Sequence, residues 1–510
     1  MSWTAGYVTD LNYTYGYYRE LNPALLRLAC IHAGIAPPPA PLDYLELGFG
    51  QGVSINIHAA AFAGTYWGID FIPAQAVQAR ALAAASGSGA VLLDDSFQEF
   101  AARTDLPEFD VIALHGIWSW VSADSRRTIV DIIRRRLKPG GIVYLSYNCF
   151  PAFAAVVPLR HLLTLHAELA GSAAAGTVGN IDAALSFAKS LADAGAHYFR
   201  ANASVADWLK LLLGQDRHYV AHEYFNREWT VMPFSDVARA LDDAKLAFVG
   251  SAHLLDQIDA FNLRPEWQKI LGDIRHPVLR QSARDYLLNQ QFRRDIFSKG
   301  GQPLSALARA EALREQSFAL TARPEDIPLK ASGALGELPL DERVCRPLIE
   351  ALAEANYAPR SLGDLASRPV FRNTQFGDLV TALMTLVGAG HVHPAQSVSK
   401  PAHERCAALN RYFFQRARTG SELTTVASPV TGTGISVDPF QLLFLLALQT
   451  GKKTPADQAS FVWDILAAQG QRLMRNNQPL ATPEDNIAEL TRHAAQFATR
   501  LPLLNALGVA

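Results

Sequence analysis

The sequence predicts a doubly wound, Rossmann-like α/β domain with a helical insertion, followed by mainly helical and winged-helix-like C-terminal domains. Three observations carry this. From Leu42, short apolar runs (LDYLEL, TYWGID, AVLLDD, FDVIALHG, GIVYLSYN) alternate with amphipathic segments such as SADSRRTIVDIIRRRLKPGG, the β-α rhythm of a parallel sheet covered on both faces. The first run ends in LELGFGQGVSINIHAA, where three glycines in five positions lead into a helix of small residues. Beyond Asn148 the strand signal lapses, and residues 152–213 read as helices.

In chain order, residues 1–40 form an N-terminal cap segment. It holds Tyr13, Tyr15, Tyr17 and Tyr18, then a helix (NPALLRLACIHAG) that APPPAP closes. Residues 41–260 carry the sheet, with 152–217 as a helical insertion. Leaving the carboxyl end of the fifth strand, this insertion is a candidate lid over the ligand crevice. PFSDVARALDDAKLAFVGSAHL then returns to helix and strand, so residues 218–300 overlap the end of the sheet. Residues 262–325 look helical, including SARDYLLNQQFRRDIF, and ASGALGELPLDE resembles a linker. Residues 340–396 suggest three helices and a short strand of winged-helix type, and 400–510 a further unit broken at SPVTGTG.

Bulk properties narrow the function. A chain of 510 residues holds about three or four domains. Its net charge of −2 gives no global field toward nucleic acid or an anionic membrane. Cys30, Cys149, Cys345 and Cys406 lie far apart with no C-x-x-C pair, which fits a reducing compartment. No signal peptide is visible, and the longest apolar run, FQLLFLLAL, is half a membrane span. The expectation is a cytoplasmic protein without membrane attachment.

The glycine turn departs from a dinucleotide fingerprint, because Val53 holds the third-glycine place and Gly52 falls one residue early. The stretch reads acidic-x-G-x-G-x-G with Glu46 leading, and it resembles the class I S-adenosylmethionine-dependent methyltransferases. That resemblance implies a seven-stranded sheet with S-adenosylmethionine as cofactor. Its sulfonium and amino-acid tail would lie along Gly48, Gly50 and Gly52 near Glu46. Asp70, with Phe71 beside it, would take the ribose hydroxyls. Asp95 and Ser96 would meet the adenine, Asp94 being the alternative if the register shifts by one.

The fourth and fifth strand ends, HG-x-x-SWV and SYN-x-x-P, narrow the resemblance, as do HEYFNREWTVMPFSDVARAL and RDYLLNQQFRRDIF. They are similar to bacterial methyltransferases joined to a methyltransferase regulatory domain, whose best-understood members are protein-lysine methyltransferases acting on an outer-membrane surface protein. The likeness covers residues 10–300. It departs where the group has YN-x-LPGW, since Ala152-Phe153 follows Pro151 here. The acceptor it implies is a protein lysine amine. A small-molecule, sugar or natural-product acceptor is the alternative, and a cofactor-binding regulatory protein without catalysis is another.

Methyl transfer needs nucleophile, carbon and sulfur in line and a deprotonated amine. Candidates at the strand ends are His115 as proton acceptor and cofactor neighbour, and Trp118 (or Trp120) as an aromatic face for a cation. Tyr147 and Asn148 would orient the nucleophile. His222 and Glu223 rank lower. The winged-helix-like segment balances its arginines with carboxylates, so no nucleic acid partner is expected. The pair His391 and His393 lacks a third ligand, so no metal is expected. The extra domains are compatible with a homodimer.

Overall fold

The computed structural model describes residues 15–510, so Tyr13 lies outside the described residues. α1 (Pro23–His32) precedes the sheet, its N-terminal amides capped by the Asn22 side chain. The first five strands are β1 (Leu42–Leu47), β2 (Gly64–Ile69), β3 (Val91–Leu93), β4 (Phe109–Leu114) and β5 (Leu137–Asn148). Between them run α2 (Val53–Ala61), α3 (Pro73–Ser86), α4 (Phe97–Ala102) and α5 (Ala123–Arg136). β4 is buried along its whole length, as a central parallel strand must be.

An insertion of α6 (Val157–Leu169), α7 (Gly176–Asp193), α8 (His197–Ala201), α9 (Ala203–Gly214) and α10 (Arg217–Tyr224) follows β5. Its helices enclose a core of their own, with Leu159, Leu163, Leu185 and Val205 at its centre. It is rooted in the sheet where Thr230 N–H donates to the Ser119 carbonyl and Met232 N–H to that of Asn148. The chain then makes α11 (Phe234–Asp242), β6 (Leu246–Ser251), α12 (Asp259–Asn262), α13 (Pro265–Asp273), α14 (Pro277–Leu288) and β7 (Phe292–Lys299). The completed seven-stranded sheet has the order β3-β2-β1-β4-β5-β7-β6, with β7 antiparallel to both neighbours.

The reading of SARDYLLNQQFRRDIF as one helix is corrected by β7. Asn289 enters the left-handed region at φ 48° and ends α14, and the remainder is a strand. Arg293 and Asp295 are buried on it, so charge disguised a two-residue alternation as the polar side of a helix.

α15 (Ala306–Glu315) leads into β8 (Ser317–Leu320), and the expected linker is a hairpin of β9 (Lys330–Gly333) and β10 (Gly336–Pro339). The winged-helix-like unit has α16 (Glu342–Tyr357), β11 (Arg360–Ser361), α17 (Leu362–Ala366), α18 (Phe376–Gly388) and β12 (Val392–Ala395). Its sheet runs β11-β8-β12, so the central strand comes from upstream of the helices.

The last unit comprises α19 (Lys400–Arg416), the pair β13 (Thr425–Ala427) and β14 (Gly434–Ser436), α20 (Pro439–Gln449) and α21 (Pro455–Ala468). β15 (Met474–Arg475), β16 (Gln478–Pro479), α22 (Pro483–Ala498) and α23 (Leu501–Ala506) complete it. Cys406, Leu409 and Phe413 of α19 bury against Val53, Ile57 and Leu82, clamping this unit onto α2 and α3. Among the described residues no helix is long and apolar enough to cross a membrane.

Candidate cofactor and acceptor site

The turn between β1 and α2 bends through three left-handed residues, Gly48 (φ 81°), Gly50 (φ 58°) and Gly52 (φ 73°). Side chains are excluded at two of them. A Cβ on Gly48 would lie 2.2 Å from Ile117 Cδ1, and one on Gly52 would lie 2.4 Å from Ala79 Cβ. At Gly50 nothing lies within 4 Å, so the turn presents bare backbone to open space there. The Ile117 contact brings the chain after β4 against the turn.

Asp70 ties this turn to the tip of β2. Its Oδ2 accepts from Gly50 N–H at 2.8 Å and its Oδ1 from Ile72 N–H at 3.0 Å. The Gln75 amide nitrogen, correctly oriented, donates to both oxygens at 2.9 and 3.1 Å. Burial pushes the Asp70 carboxyl up to about 7, against the pull of the two backbone donors. Glu46, buried on β1 with the Tyr44 hydroxyl 3.5 Å from Oε2, is pushed up to about 8, mainly by burial and further by Asp70. No ion pair to either carboxylate is formed among the described residues.

Phe71 is half-buried beside Asp70. Ser96 caps α4, its hydroxyl accepting from Glu99 N–H while Glu99 returns to Ser96 N–H. Asp94 turns outward to Arg80 at 2.6 Å, whereas Asp95 stays at the tip of β3 with Arg103 3.4 Å away.

At the end of β4, His115 stacks on Tyr18 with ring centroids 4.2 Å apart, and its Nδ1 lies 2.8 Å from the Tyr144 hydroxyl. Phe292 offers its edge at 6.3 Å. Burial lowers the His115 pKa to about 4, so the imidazole is neutral at physiological pH and a weaker base than expected. Asn148 is buried at the end of β5, and among the described residues its amide has no hydrogen-bond partner, although its backbone N–H is held by Ser119 Oγ at 2.9 Å.

Two candidates take other places. Tyr147 faces the opposite side of the sheet from Asn148, and its hydroxyl donates to Asp295 Oδ2 at 2.8 Å inside the core. Trp118 is packed into that same core beneath the groove between α5 and α11. Neither shares the face that carries His115 and Asn148. Trp120 pairs instead with Trp229 of the insertion's root. His222 is buried within α10, and next to it burial pushes the Glu223 carboxyl up to about 7.

Residues 45–141 match the family described as "Methyltransferase domain", and residues 216–299 the one described as "Predicted methyltransferase regulatory domain". An uncharacterized protein of Synechocystis is 38% identical over the whole of both chains. The chain belongs to the class I S-adenosylmethionine-dependent methyltransferases that carry this regulatory domain. An uncharacterized protein of Rickettsia prowazekii is 24% identical over 61% of this chain and 56% of its own. Among solved structures, PKMT2 from Rickettsia typhi in complex with AdoHcy shares the fold, with a TM-score of 0.70 over 98% of this chain and all of that one at 17% identity.

The methyltransferase's cofactor fits what the turn offers. Two buried carboxylates without a cation suit a ligand that brings a sulfonium and an ammonium, and the bare backbone at Gly50 leaves room for close approach. Each Asp70 oxygen has two lone-pair directions, one of them taken by a backbone amide. The Gln75 amide occupies the other.

Sequence reading missed the groups behind His115. Glu20, in the strap before α1, pairs with Arg294 at 3.2 Å and lies 3.4 Å from His253. Burial alone would raise its carboxyl; the His253 hydrogen bond and the Arg294 charge outweigh that and hold it well below the usual range. Glu20 is 274 residues from Arg294, and no local pattern joins them.

Proposed function

We propose that the methyltransferase methylates a lysine side-chain amine presented by a protein. The observation that carries this reading is the wall where β4 and β5 end and β7 begins: His115 stacked on Tyr18, the edge of Phe292, and the Asn148 amide, unpartnered among the described residues. Ionised Glu20 stands behind them. Aromatic rings attract an alkylammonium. The same dry surroundings lower its pKa and release the neutral amine.

When bound, S-adenosylmethionine supplies an electrophilic methyl on a cationic sulfur. The amine lone pair forms the new N–C bond while the C–S electrons stay on sulfur, and the nitrogen sheds its surplus proton to water. In this reading Asn148 aligns the amine. Neutral His115 holds the aromatic wall in place through Tyr144 and does not act as a strong base. The insertion, rooted beside Asn148, borders the approach. The signatures HG-x-x-SWV and SYN-x-x-P support the protein-lysine class, as does whole-chain likeness to PKMT2. Four free, buried cysteines support a reducing, cytoplasmic setting.

Incubation with methyl-labelled cofactor and bacterial extract tests the proposal. Label in protein, recovered as methylated lysine after hydrolysis, is the expected result. Label confined to small molecules or glycans overturns it, and cofactor binding without transfer favours a non-catalytic role. Asn148→Ala should slow transfer about tenfold or more while AdoHcy affinity changes less than about twofold.

A further inference from the structure

Beside the edge strand β6, away from the glycine turn, the chain forms an open cavity of about 650 Å³ walled by α14, the end of α1, α15 and the β9 end of the hairpin. Its lining is dense in guanidinium groups, and most are matched. Arg284 pairs with Asp259 at 2.7 Å, Arg293 with Asp285 and Asp295, and Arg294 with Glu20 and Asp256. Two are not. Arg280 of α14 and Arg309 of α15 reach the cavity from different walls, and neither has a carboxylate partner among the described residues. Arg309 Nε is in addition buried without a hydrogen-bond partner.

We propose that this cavity binds a small anion bearing two or more charges, a phosphate monoester or a dicarboxylate, held between Arg280 and Arg309. Guanidinium groups bind such anions in bidentate fashion. Neutral donors complete the site. Gln281 turns its oxygen to Arg293 at 3.1 Å, directing its amide N–H groups away from that guanidinium, and Ser332 lines the hairpin side. His32, whose Nδ1 lies 3.0 Å from Gln257 Oε1, has its pKa lowered by burial and by nearby Arg309. The volume lies within the range of small-molecule sites. Its wall residue Arg294 holds Glu20, so an occupant sits one ion pair from the His115 wall.

The test is calorimetry on the full chain at constant ionic strength, with inorganic phosphate, glycerol 3-phosphate and succinate as probes. At least one is expected to bind with a Kd of about a millimolar or tighter. Arg280→Gln, on an exposed side chain, should weaken that probe about fivefold or more, and Arg280→Gln with Arg309→Gln should abolish it. AdoHcy affinity should hold in both variants. No binding by any of the three probes overturns the proposal, as does parental affinity in the double variant. A parallel loss of AdoHcy binding also overturns it, since the site would not be separate. None of these readouts depends on the identity of the methyl acceptor.

Discussion

At the tips of β1 and β2, Glu46 and Asp70 are buried carboxylates with no cation beside them among the described residues, and their pKa values are driven to about 8 and about 7. On β7, at the other end of the same sheet, Arg293 is buried between Asp285 and Asp295, with the Phe234 ring 4.4 Å from its guanidinium and the Tyr147 hydroxyl on Asp295. One half of the sheet leaves two buried acids without a cation, and burial favours their protonated forms. The other answers its charges internally and serves as scaffold. The difference separates a candidate binding surface from a structural one, although both are buried and polar.

Four measurements break or sharpen that contrast. The largest effect belongs to the scaffold: Arg293→Ala strands two carboxylates in the core and should cost about 3–5 kcal/mol, read from chemical denaturation. On the binding half, Asp70→Asn should leave the denaturation midpoint nearly unchanged. AdoHcy affinity should fall about tenfold or more, because hydrogen bonds to a charged acceptor are worth about 1.5–3 kcal/mol. A midpoint that drops as far as in Arg293→Ala would erase the distinction.

Tyr147→Phe removes one donor from Asp295 while Arg293 stays in place. Stability should fall by about 1 kcal/mol and transfer should stay near its parental rate. A transfer rate that collapses would return Tyr147 to the acceptor site.

The smallest signal is a fraction of a proton. The folded pKa values of Glu46 and Asp70 lie above the ordinary carboxylate range, so between about pH 5 and 8 the cofactor-free protein holds protons that a cationic ligand must displace. S-adenosylmethionine binding at pH 6.5 should therefore release protons, seen as a dependence of the calorimetric heat on buffer ionisation enthalpy. Its affinity should rise with pH and level off above about 8. Proton uptake would contradict the picture.

The glycine turn and the acids at the neighbouring strand tips were legible because they are local features. Buried charge on β7 was not, since Arg293 and Asp295 make sense only once Asp285 of α14 and Tyr147, 148 residues away from Asp295, close around them. The same lack of long-range information placed Tyr147 and Trp118 among the acceptor candidates, although a strand's two-residue alternation already sets Tyr147 and Asn148 on opposite faces. The upstream origin of β8 in the winged-helix-like sheet was also out of reach, because strand order across a domain leaves no local trace in sequence.

Residues 216–299, matched as a regulatory domain, contribute β6 and β7, two of the seven strands on which the reaction surface is built. Severing the gene ahead of residue 216 would leave β5 with a bare edge and Tyr147 without its acceptor. The two matched regions therefore share one sheet, and a lineage could not shed residues 216–299 as a cassette without opening it.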